Sequence, residues 1–273
     1  MPHRKRSWLT PISRVGTVLR WTIRIVLIAV IADLFYLALT WPDWKKLAAG
    51  PVPKSNFITE YEASRAHNRK LPPLRWQPVP YAALPKHLVR AAILAEDSRF
   101  YQHDGFDLVA FKEAMNYNLA EGRVVLGAST ISQQTVKNLF LSPSRNPLRK
   151  WHELVLTWGM ERNLSKRRIL EIYLNVAEFG PGIYGAQAAA QAYWGTSLTQ
   201  LTVIQAAALA ATLPSPTKNN PVTNTPQFER RANKILDLLL RFPGDAAETI
   251  HAEIAPRAEP PPPADSDRTG DTI

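Results

Sequence analysis

The sequence predicts a mainly α-helical protein behind one membrane-spanning helix. One observation is a single long apolar run near the N-terminus, and another is a series of later segments whose apolar residues recur at helical spacing. A third is that alternating β-branched stretches of useful length are almost absent. The 273 residues allow one large domain or two small ones, and one domain is the simplest count.

The N-terminal segment has the composition of a membrane anchor. Residues 1–24 contain six arginines and lysines and no acid, and the only charge in the apolar run 25–41 is Asp33. This run reaches the lower half of the ~17–25 residues that span a bilayer, and Trp21 and Trp41 lie where interfacial aromatic residues are common. We therefore predict a cytoplasmic basic segment at 1–24 and a transmembrane helix at 25–41, with the remaining chain on the other side.

Two alternatives stay open for this segment. A cleaved signal peptide begins in the same way, and the small residues in 47–50 keep it open, although their distance from the apolar run disfavours it. Asp33 costs on the order of 2.5–3.5 kcal/mol at the centre of a span. It either faces a partner or is a tolerated cost in a single-pass anchor, and we favour the second.

The net charge of +10 belongs mostly to this topology. Without the six N-terminal basic residues, 27 basic residues stand against 23 acidic ones, a surplus of only +4. No aromatic and basic module for nucleic acid stands out, so we expect no nucleic-acid partner. The lack of cysteine excludes disulfides, thiolate catalysis and cysteine-ligated zinc.

Proline and charge dominate residues 42–80, which predicts an extended linker. The domain is predicted at 81–245. Its first helix follows Pro85 and places Glu96 near the helix C-terminus. The tail at 246–273 is predicted to be flexible because it ends in a proline-rich, charged stretch. Helical patterns continue through the domain at residues 106–120, 129–139, 148–163, 166–175, 185–193, 199–212 and 226–241.

Four polar stretches in the domain are hard to assign to packing. They are residues 96–105 (EDSRFYQHDG), 127–138 (GASTISQQTVKN), 149–153 (RKWHE) and 168–175 (RILEIYLN), the last followed by FGPGIYGA at 179–186. In order and residue by residue, they resemble the motifs of the peptidoglycan glycosyltransferases, glycosyltransferase family 51. The resemblance covers about half of the chain.

The resemblance implies a lysozyme-like, mainly α glycosyltransferase domain. In this family the donor is the growing glycan on undecaprenyl diphosphate, and the nucleophile is the 4-hydroxyl of the N-acetylglucosamine of lipid II. Attack at C1 forms a β-1,4 bond with inversion and releases undecaprenyl diphosphate. The implied partners are lipid II, the nascent glycan strand and the bacterial inner membrane, with the domain in the periplasm. Cell-wall synthesis or division proteins are further candidates.

This displacement needs a base and positive charge beside the leaving diphosphate. By resemblance Glu96 is the base, and apolar surroundings would raise its pKa towards neutrality. Glu153 would be the second carboxylate, acting through a divalent cation such as Mg²⁺ or by orienting basic groups, and no organic cofactor is expected. The other candidates would bind sugar and phosphate oxygens: Ser129, Thr130, Gln134, Lys137, Asn138, Arg145 and Arg149.

The acidic candidates have plain structural alternatives. Glu96 or Asp97 could pair with Arg99 or cap a neighbouring helix. Glu153 could form an exposed ion pair with Arg149, worth about 0.3–0.5 kcal/mol at i, i+4 spacing. Because several motifs occur in the same order as in the family, we favour the functional interpretation.

Several further residues carry weaker expectations. Ser129 could be a helix N-cap. His103 is expected to make structural hydrogen bonds, since only His152 offers a second histidine for a zinc site. Ala128 stands where the family usually has a second glycine, which changes the loop but removes no reactive group. Contact with a lipid tail, or alternatively core packing, is expected for Phe106, Phe111, Leu139 and Phe140.

Two rival functions remain at this point. A muramidase also uses a catalytic glutamate in a helical domain, and a non-catalytic scaffold could bind lipid II. The Lys137, Arg145 and Arg149 cluster disfavours the muramidase, because a neutral glycosidic bond has no diphosphate to neutralise. Residues 215–218 (SPTK) fit the Ser-x-x-Lys pattern of transpeptidases by chance, since no Lys-Thr-Gly follows, so no transpeptidase activity is expected.

Overall fold

The computed structural model describes residues 11–123, 127–144 and 146–241, and it confirms the mainly α fold. The chain divides into two compact units, Met1–Lys46 and Leu47–Ile273. The first contains α1 (Pro11–Leu39), whose stretch Gly16–Leu39 is long and apolar enough to cross a membrane. The helix therefore begins well before the predicted segment 25–41. The predicted flexible tail at 246–273 lies outside the described residues.

The extended conformation predicted for residues 42–80 is wrong. Two helices lie in this segment, α2 (Trp44–Ala49) and α3 (Asn56–His67). Ile58 of α3 is fully buried, and Arg168 donates hydrogen bonds to the Leu47 and Gly50 carbonyls at 2.9 and 2.5 Å. The prolines lie between and after the helices rather than inside them, so they set helix ends without preventing helices.

The helices predicted for the domain are present, and capping residues set several of their first turns. The helix predicted from 199 begins at Val203 instead, because Thr202 caps it and its partner Gln205 completes a capping box. The elements are α4 (Lys86–Glu96), α5 (Leu108–Ala120), α6 (Ile131–Phe140), α7 (Pro147–Asn163), α8 (Lys166–Val176), α9 (Ala186–Trp194), α10 (Val203–Thr212) and α11 (Pro226–Arg241).

The core forms where these helices cross. α10 packs against α4 and α11, and α6 packs against α7 and α8. Apolar side chains from each group are fully buried, including Ile93, Val136, Leu170 and Leu209. Burial of each such side chain contributes roughly 1.5–3 kcal/mol. The ends of α4 and α6, which carry the predicted site residues, are therefore fixed by the core.

Sequence reasoning missed a small sheet in the domain. Its strands are β1 (Arg75–Trp76), β2 (Glu178–Gly180) and β3 (Ile183–Tyr184), in the order β1-β3-β2. β1 is parallel to β3, and β2 is antiparallel to it. Strands of two or three residues are too short to show alternation, which explains the omission.

Asn175 at the end of α8 holds the segment containing β1 in place. Its side chain accepts from Val79 N–H at 2.7 Å and donates to the Val79 carbonyl at 2.8 Å. Its own carbonyl accepts from the indole N–H of Trp76 at 2.9 Å. The buried amide therefore joins residues about a hundred positions apart, and it fixes the start of the turn that leads into β2.

Candidate active site

Glu96 ends α4, and its carboxylate is held from two sides. The side-chain amide of Gln134 donates to Oε2 at 2.8 Å, and the guanidinium of Arg231 donates to Oε1 at 2.7 Å. Only 9% of the side chain is exposed. Burial raises the pKa of Glu96, against the Gln134 hydrogen bond and the Arg231 charge, which both lower it. The upward shift expected from the sequence is confirmed, and it makes the carboxylate a stronger base.

A buried tyrosine orients the amide that contacts Glu96. The Tyr173 hydroxyl donates to Gln134 Oε1 at 3.1 Å, which turns the Gln134 NH₂ group towards Glu96. Burial raises the pKa of Tyr173 well above its usual range, so the hydroxyl stays a donor. The sequence analysis did not single out Tyr173, although it lies within the motif at 168–175.

Arg231 is the second partner that the sequence analysis missed. It lies on α11, 135 residues after Glu96, and it also donates to the Ala95 carbonyl at 2.9 Å. No local pattern links positions so far apart in the chain. The helical signal for 226–241 predicted the element but not the contact.

The neighbouring polar residues of the first motif are structural. Arg99 pairs with Asp107 at 3.1 Å and not with Glu96 or Asp97. Asp97 instead bonds to His103 Nε2 at 2.9 Å and accepts from Ile131 N–H at 2.9 Å, at the start of α6. Asp97 thus caps a neighbouring helix, as the structural alternative has it, whereas the arginine that pairs with Glu96 is Arg231 and not Arg99. The structural role predicted for His103 is confirmed.

Asp97, His103 and Asp107 lie close enough to resemble a metal site, with one ligand atom of each within 4.8 Å of the others. Their polar atoms are already engaged, however. Gly105 N–H donates to His103 Nδ1 at 3.1 Å, so Nε2 carries the proton that Asp97 accepts. Asp107 caps α5 through two backbone N–H groups. The cluster is a hydrogen-bond network that fixes the loop after Glu96.

The N-cap of α6 is one residue later than the alternative considered for Ser129. Thr130, not Ser129, is the N-cap, and it forms a capping box with Gln133. The Thr130 hydroxyl also donates to the Gly105 carbonyl at 2.7 Å, and the residue is buried. Its hydroxyl therefore serves the fold, and the residue also lines the cavity at Glu96. Ser129 lines a cavity of about 170 Å³ together with Glu96, where it is accessible to a ligand.

The second carboxylate, Glu153, is buried in α7 between two cations. Arg149 Nη1 lies 2.9 Å from Oε2, and Lys150 Nζ contacts Oε1. The side chain is 4% exposed, so this is not the exposed surface pair considered as an alternative. Arg145, predicted to join this cluster, lies outside the described residues.

Glu153 does not fit the predicted role of metal ligand. Both of its oxygens contact cationic side chains, and a divalent ion there would lie beside Arg149 and Lys150. Hard cations such as Mg²⁺ require oxygen ligands, and here each oxygen of Glu153 already neutralises a cationic side chain. The arrangement agrees with the other predicted role, in which Glu153 orients basic groups.

Lys137 on α6 lies between the two carboxylates. Burial lowers its pKa, while the charges of Glu153 and Glu96 raise it and that of Arg149 lowers it. Within the described part of the chain, Nζ makes no hydrogen bond or ion pair. A partly buried cation without a fixed partner is costly unless a ligand supplies the counter-charge, as an incoming anion would.

An apolar cavity of about 820 Å³ lies beside the polar site. Ala128 and Ser129 line both this cavity and the smaller one at Glu96. Of the four apolar candidates, Phe106 and Phe111 line the cavity, whereas Leu139 is buried in the core and Phe140 is half-buried. Helix α5, which carries Phe111, exposes several large apolar side chains: Leu108, Val109, Phe111, Met115 and Leu119.

A third cavity, of about 150 Å³, also borders α6. Gln134, Lys137 and Asn138 line one wall, and Glu178 of β2 lines another. Burial raises the pKa of Glu178 to about 7. Glu178 lies between the motif at 168–175 and the stretch at 179–186, and no sequence pattern marked it as a site residue.

Comparisons with known proteins find several similar sequences. A family model described as Transglycosylase matches residues 66–240. The chain is 47% identical over 178 residues to the biosynthetic peptidoglycan transglycosylase of Nitrosospira multiformis, covering 65% of this chain and 77% of that protein. It is 40% identical over 223 residues to the protein of that name in Janthinobacterium sp. (strain Marseille), covering 82% and 93%. A third protein of that name, in Thiobacillus denitrificans, is 43% identical over 197 residues, covering 71% and 83%.

Proposed function

The chain belongs to the transglycosylase family, and from that premise we propose how it polymerises lipid II into peptidoglycan glycan strands. It is a glycosyltransferase, and we assign the general base of the reaction to Glu96. The observation that carries this assignment is the buried carboxylate at the end of α4, whose pKa is raised although an amide and a guanidinium both contact it.

The proposed step begins at the 4-hydroxyl of the incoming lipid II sugar. Its proton moves to the Glu96 carboxylate while its oxygen bonds to C1 of the donor sugar. The bond from C1 to the phosphate oxygen breaks, and the electron pair leaves with undecaprenyl diphosphate. The donor carbon is inverted, and Glu96 then returns the proton to solvent.

The charge on the departing diphosphate requires cations that are already in place. Lys137 supplies one, since its Nζ has no ion-pair partner among the residues described, and Arg149 supplies a guanidinium that can grip two phosphate oxygens. Glu153 holds Arg149 and Lys150 on α7 and so positions them for this task. Arg145 stays in the proposal on its sequence motif alone.

We assign the apolar cavity lined by Phe106 and Phe111 to the lipid tail of the substrate. The cavity adjoins the polar site through Ser129, so one substrate molecule can place its tail in the cavity and its head group at Glu96. The exposed apolar side chains of α5 would lie against the bilayer, which keeps the tail out of water. We place the protein in the bacterial inner membrane through α1, with the second unit in the periplasm, because the basic residues precede the span.

The orientation can be tested with single cysteines, because the chain has none of its own. Lys5→Cys reports the predicted cytoplasmic side, and Glu62→Cys, on the exposed surface of α3, reports the periplasmic side. A thiol reagent that does not cross the inner membrane should label only Glu62→Cys in cells with a permeabilised outer membrane. Labelling of Lys5→Cys alone would show that the topology is the reverse of the one proposed.

The activity is tested by incubating the full-length protein in detergent with labelled lipid II and separating the products on a gel. We expect glycan ladders that moenomycin suppresses. Cleavage of preformed glycan without polymer would favour the muramidase, and binding of lipid II without any product would favour the scaffold. A parallel reaction with a chelator tests whether a divalent cation is required. We expect full activity with the chelator, because each oxygen of Glu153 already contacts a cationic side chain.

A further inference from the structure

The cavity of about 150 Å³ beside α6 is lined by several polar side chains, three of which lack a partner among the described residues. Lys137, Asn138 and Glu178 all line it. Across residues 11–123, 127–144 and 146–241, none of these three side chains makes a hydrogen bond or ion pair. Polar groups that converge on a cavity from different elements without bonding one another are typical of a ligand site.

The two walls of this cavity are rigid. Gln134, Lys137 and Asn138 share one face of α6, since they are spaced three and four residues apart. Glu178 opposes them from β2, where its backbone pairs with Tyr184 of β3. The backbone of β2 thus holds Glu178 in place, and its side chain contributes no hydrogen bond to the sheet.

Two side chains link this cavity to the Glu96 site. Gln134 lines it with one part of its side chain and donates to Glu96 with its NH₂ group. Tyr173, which orients Gln134, also lines it. Its volume is below the roughly 300–1,000 Å³ of pockets that hold whole ligands, so it accommodates part of a substrate that also reaches Glu96.

We propose that Glu178 is a substrate-binding residue that hydrogen-bonds a neutral hydroxyl or amide group of the acceptor sugar of lipid II. The proposal rests on the function proposed above and adds a residue for which that function has no role. In this arrangement the sugar lies across α6, with its reacting hydroxyl at Glu96 and another substituent between Glu178 and Asn138.

The chemistry of Glu178 favours a sugar group over a phosphate. Burial raises its pKa to about 7, so near neutral pH a large fraction of the side chain is the neutral acid, which both donates and accepts. A hydroxyl or an acetamide offers the same two functions in return. A phosphate would instead meet a carboxyl that repels it whenever it is ionised, and Lys137 can serve phosphate on its other side, towards Glu153.

The test measures elongation with a preformed glycan-diphospholipid donor and varies the concentration of lipid II as acceptor. Glu178→Leu should raise the KM for lipid II about tenfold, the size of one lost hydrogen bond to a neutral group, with kcat and the KM for the donor changed less than about threefold. Glu178→Gln should stay within about threefold of wild type, since an amide also donates and accepts. The exposed Glu62→Leu is the matched control and should behave as wild type.

A second variant guards against a merely structural effect. Asn138→Ala, on the opposite wall, should also raise the KM for lipid II, and the double variant with Glu178→Leu should cost less than the product of the two single effects, because both contact one sugar group. If Glu178→Leu fails to fold, Glu178→Ala replaces it. Melting temperatures are recorded for every variant.

The outcomes separate the two proposals. Wild-type protein that makes no glycan from lipid II would refute the proposed function itself. Active wild type with an unchanged lipid II KM in Glu178→Leu, or with an effect only on the donor KM, would overturn the role of Glu178 alone. A Glu178→Gln variant as impaired as Glu178→Leu would also overturn it, since that result requires the charged carboxylate.

Discussion

The two buried carboxylates of the site show how one residue type is prepared for two tasks. Glu96 lies at a helix end with one amide and one guanidinium against it, and burial prevails, so its pKa is raised. Glu153 lies within a helix with a cation on each oxygen. The first arrangement leaves a carboxylate that gains by taking a proton, and the second commits its charge to holding basic side chains. The surroundings of the two carboxylates, not their residue type, are thus the reason that we propose Glu96 as the base.

The largest effect should come from replacing Glu96, the proposed base. Glu96→Gln keeps the shape and one of the two oxygens that accept from Gln134 and Arg231 but removes the basic carboxylate, so polymerisation should fall by about 10²–10⁴-fold. The rate is measured on lipid II, with the melting temperature as a check of folding. Glu62→Gln on the exposed face of α3 is the control. A well-folded Glu96→Gln protein that polymerises normally would remove Glu96 from the mechanism.

The next largest effect should come from replacing Lys137, the cation that lies between Glu96 and Glu153. Lys137→Met removes a charge that faces the leaving group and should lower kcat by about 10²–10³-fold, the size expected for one preorganised electrostatic contact. The melting temperature should stay the same or rise, because the lost charge was partly buried without an ion-pair partner among the residues described. A clear loss of stability with normal kcat would mean that Lys137 is structural.

The sequence predicted the helices of this site better than the contacts between them. The motif at 127–138 and the apolar spacing around it placed α6 within two residues, because capping and periodicity are local signals. The pairing of Glu96 with Arg231 joins positions 135 residues apart, and no local rule reports it. β2 and β3 are shorter than any detectable alternation, so Glu178 could not be placed on a cavity wall from sequence. The burial of α3 was missed because its flanking prolines dominated the pattern.

A smaller effect, on the free energy of unfolding, tests the ion pairs that hold Glu153. Arg149→Met leaves a buried carboxylate with Lys150 as its one remaining ion-pair partner among the described residues, and the free energy of unfolding should fall by about 2 kcal/mol, the size of a hydrogen bond to a charged group. The double variant Arg149→Met, Glu153→Met should recover most of this loss, because it removes the buried carboxylate together with its guanidinium, while the half-exposed Lys150 can turn to solvent. Urea denaturation measures both. An unstable double variant beside a stable single one would contradict the ion-pair account.

The smallest effect tests how the surroundings of Glu96 set its pKa. Arg231 contacts the Glu96 carboxylate and lowers that pKa, but we assign it no part in the proton transfer. Because the base must be ionised, kcat/KM rises with pH through the Glu96 pKa. The Arg231 charge lowers that pKa, so Arg231→Met should move the acidic limb of the profile to higher pH and reduce activity at pH 7 more than at pH 9. Arg231→Lys keeps the charge and should restore most of the limb. A uniform loss at every pH would instead assign Arg231 to packing between α4 and α11, and the difference between the two carboxylates would then depend on burial alone.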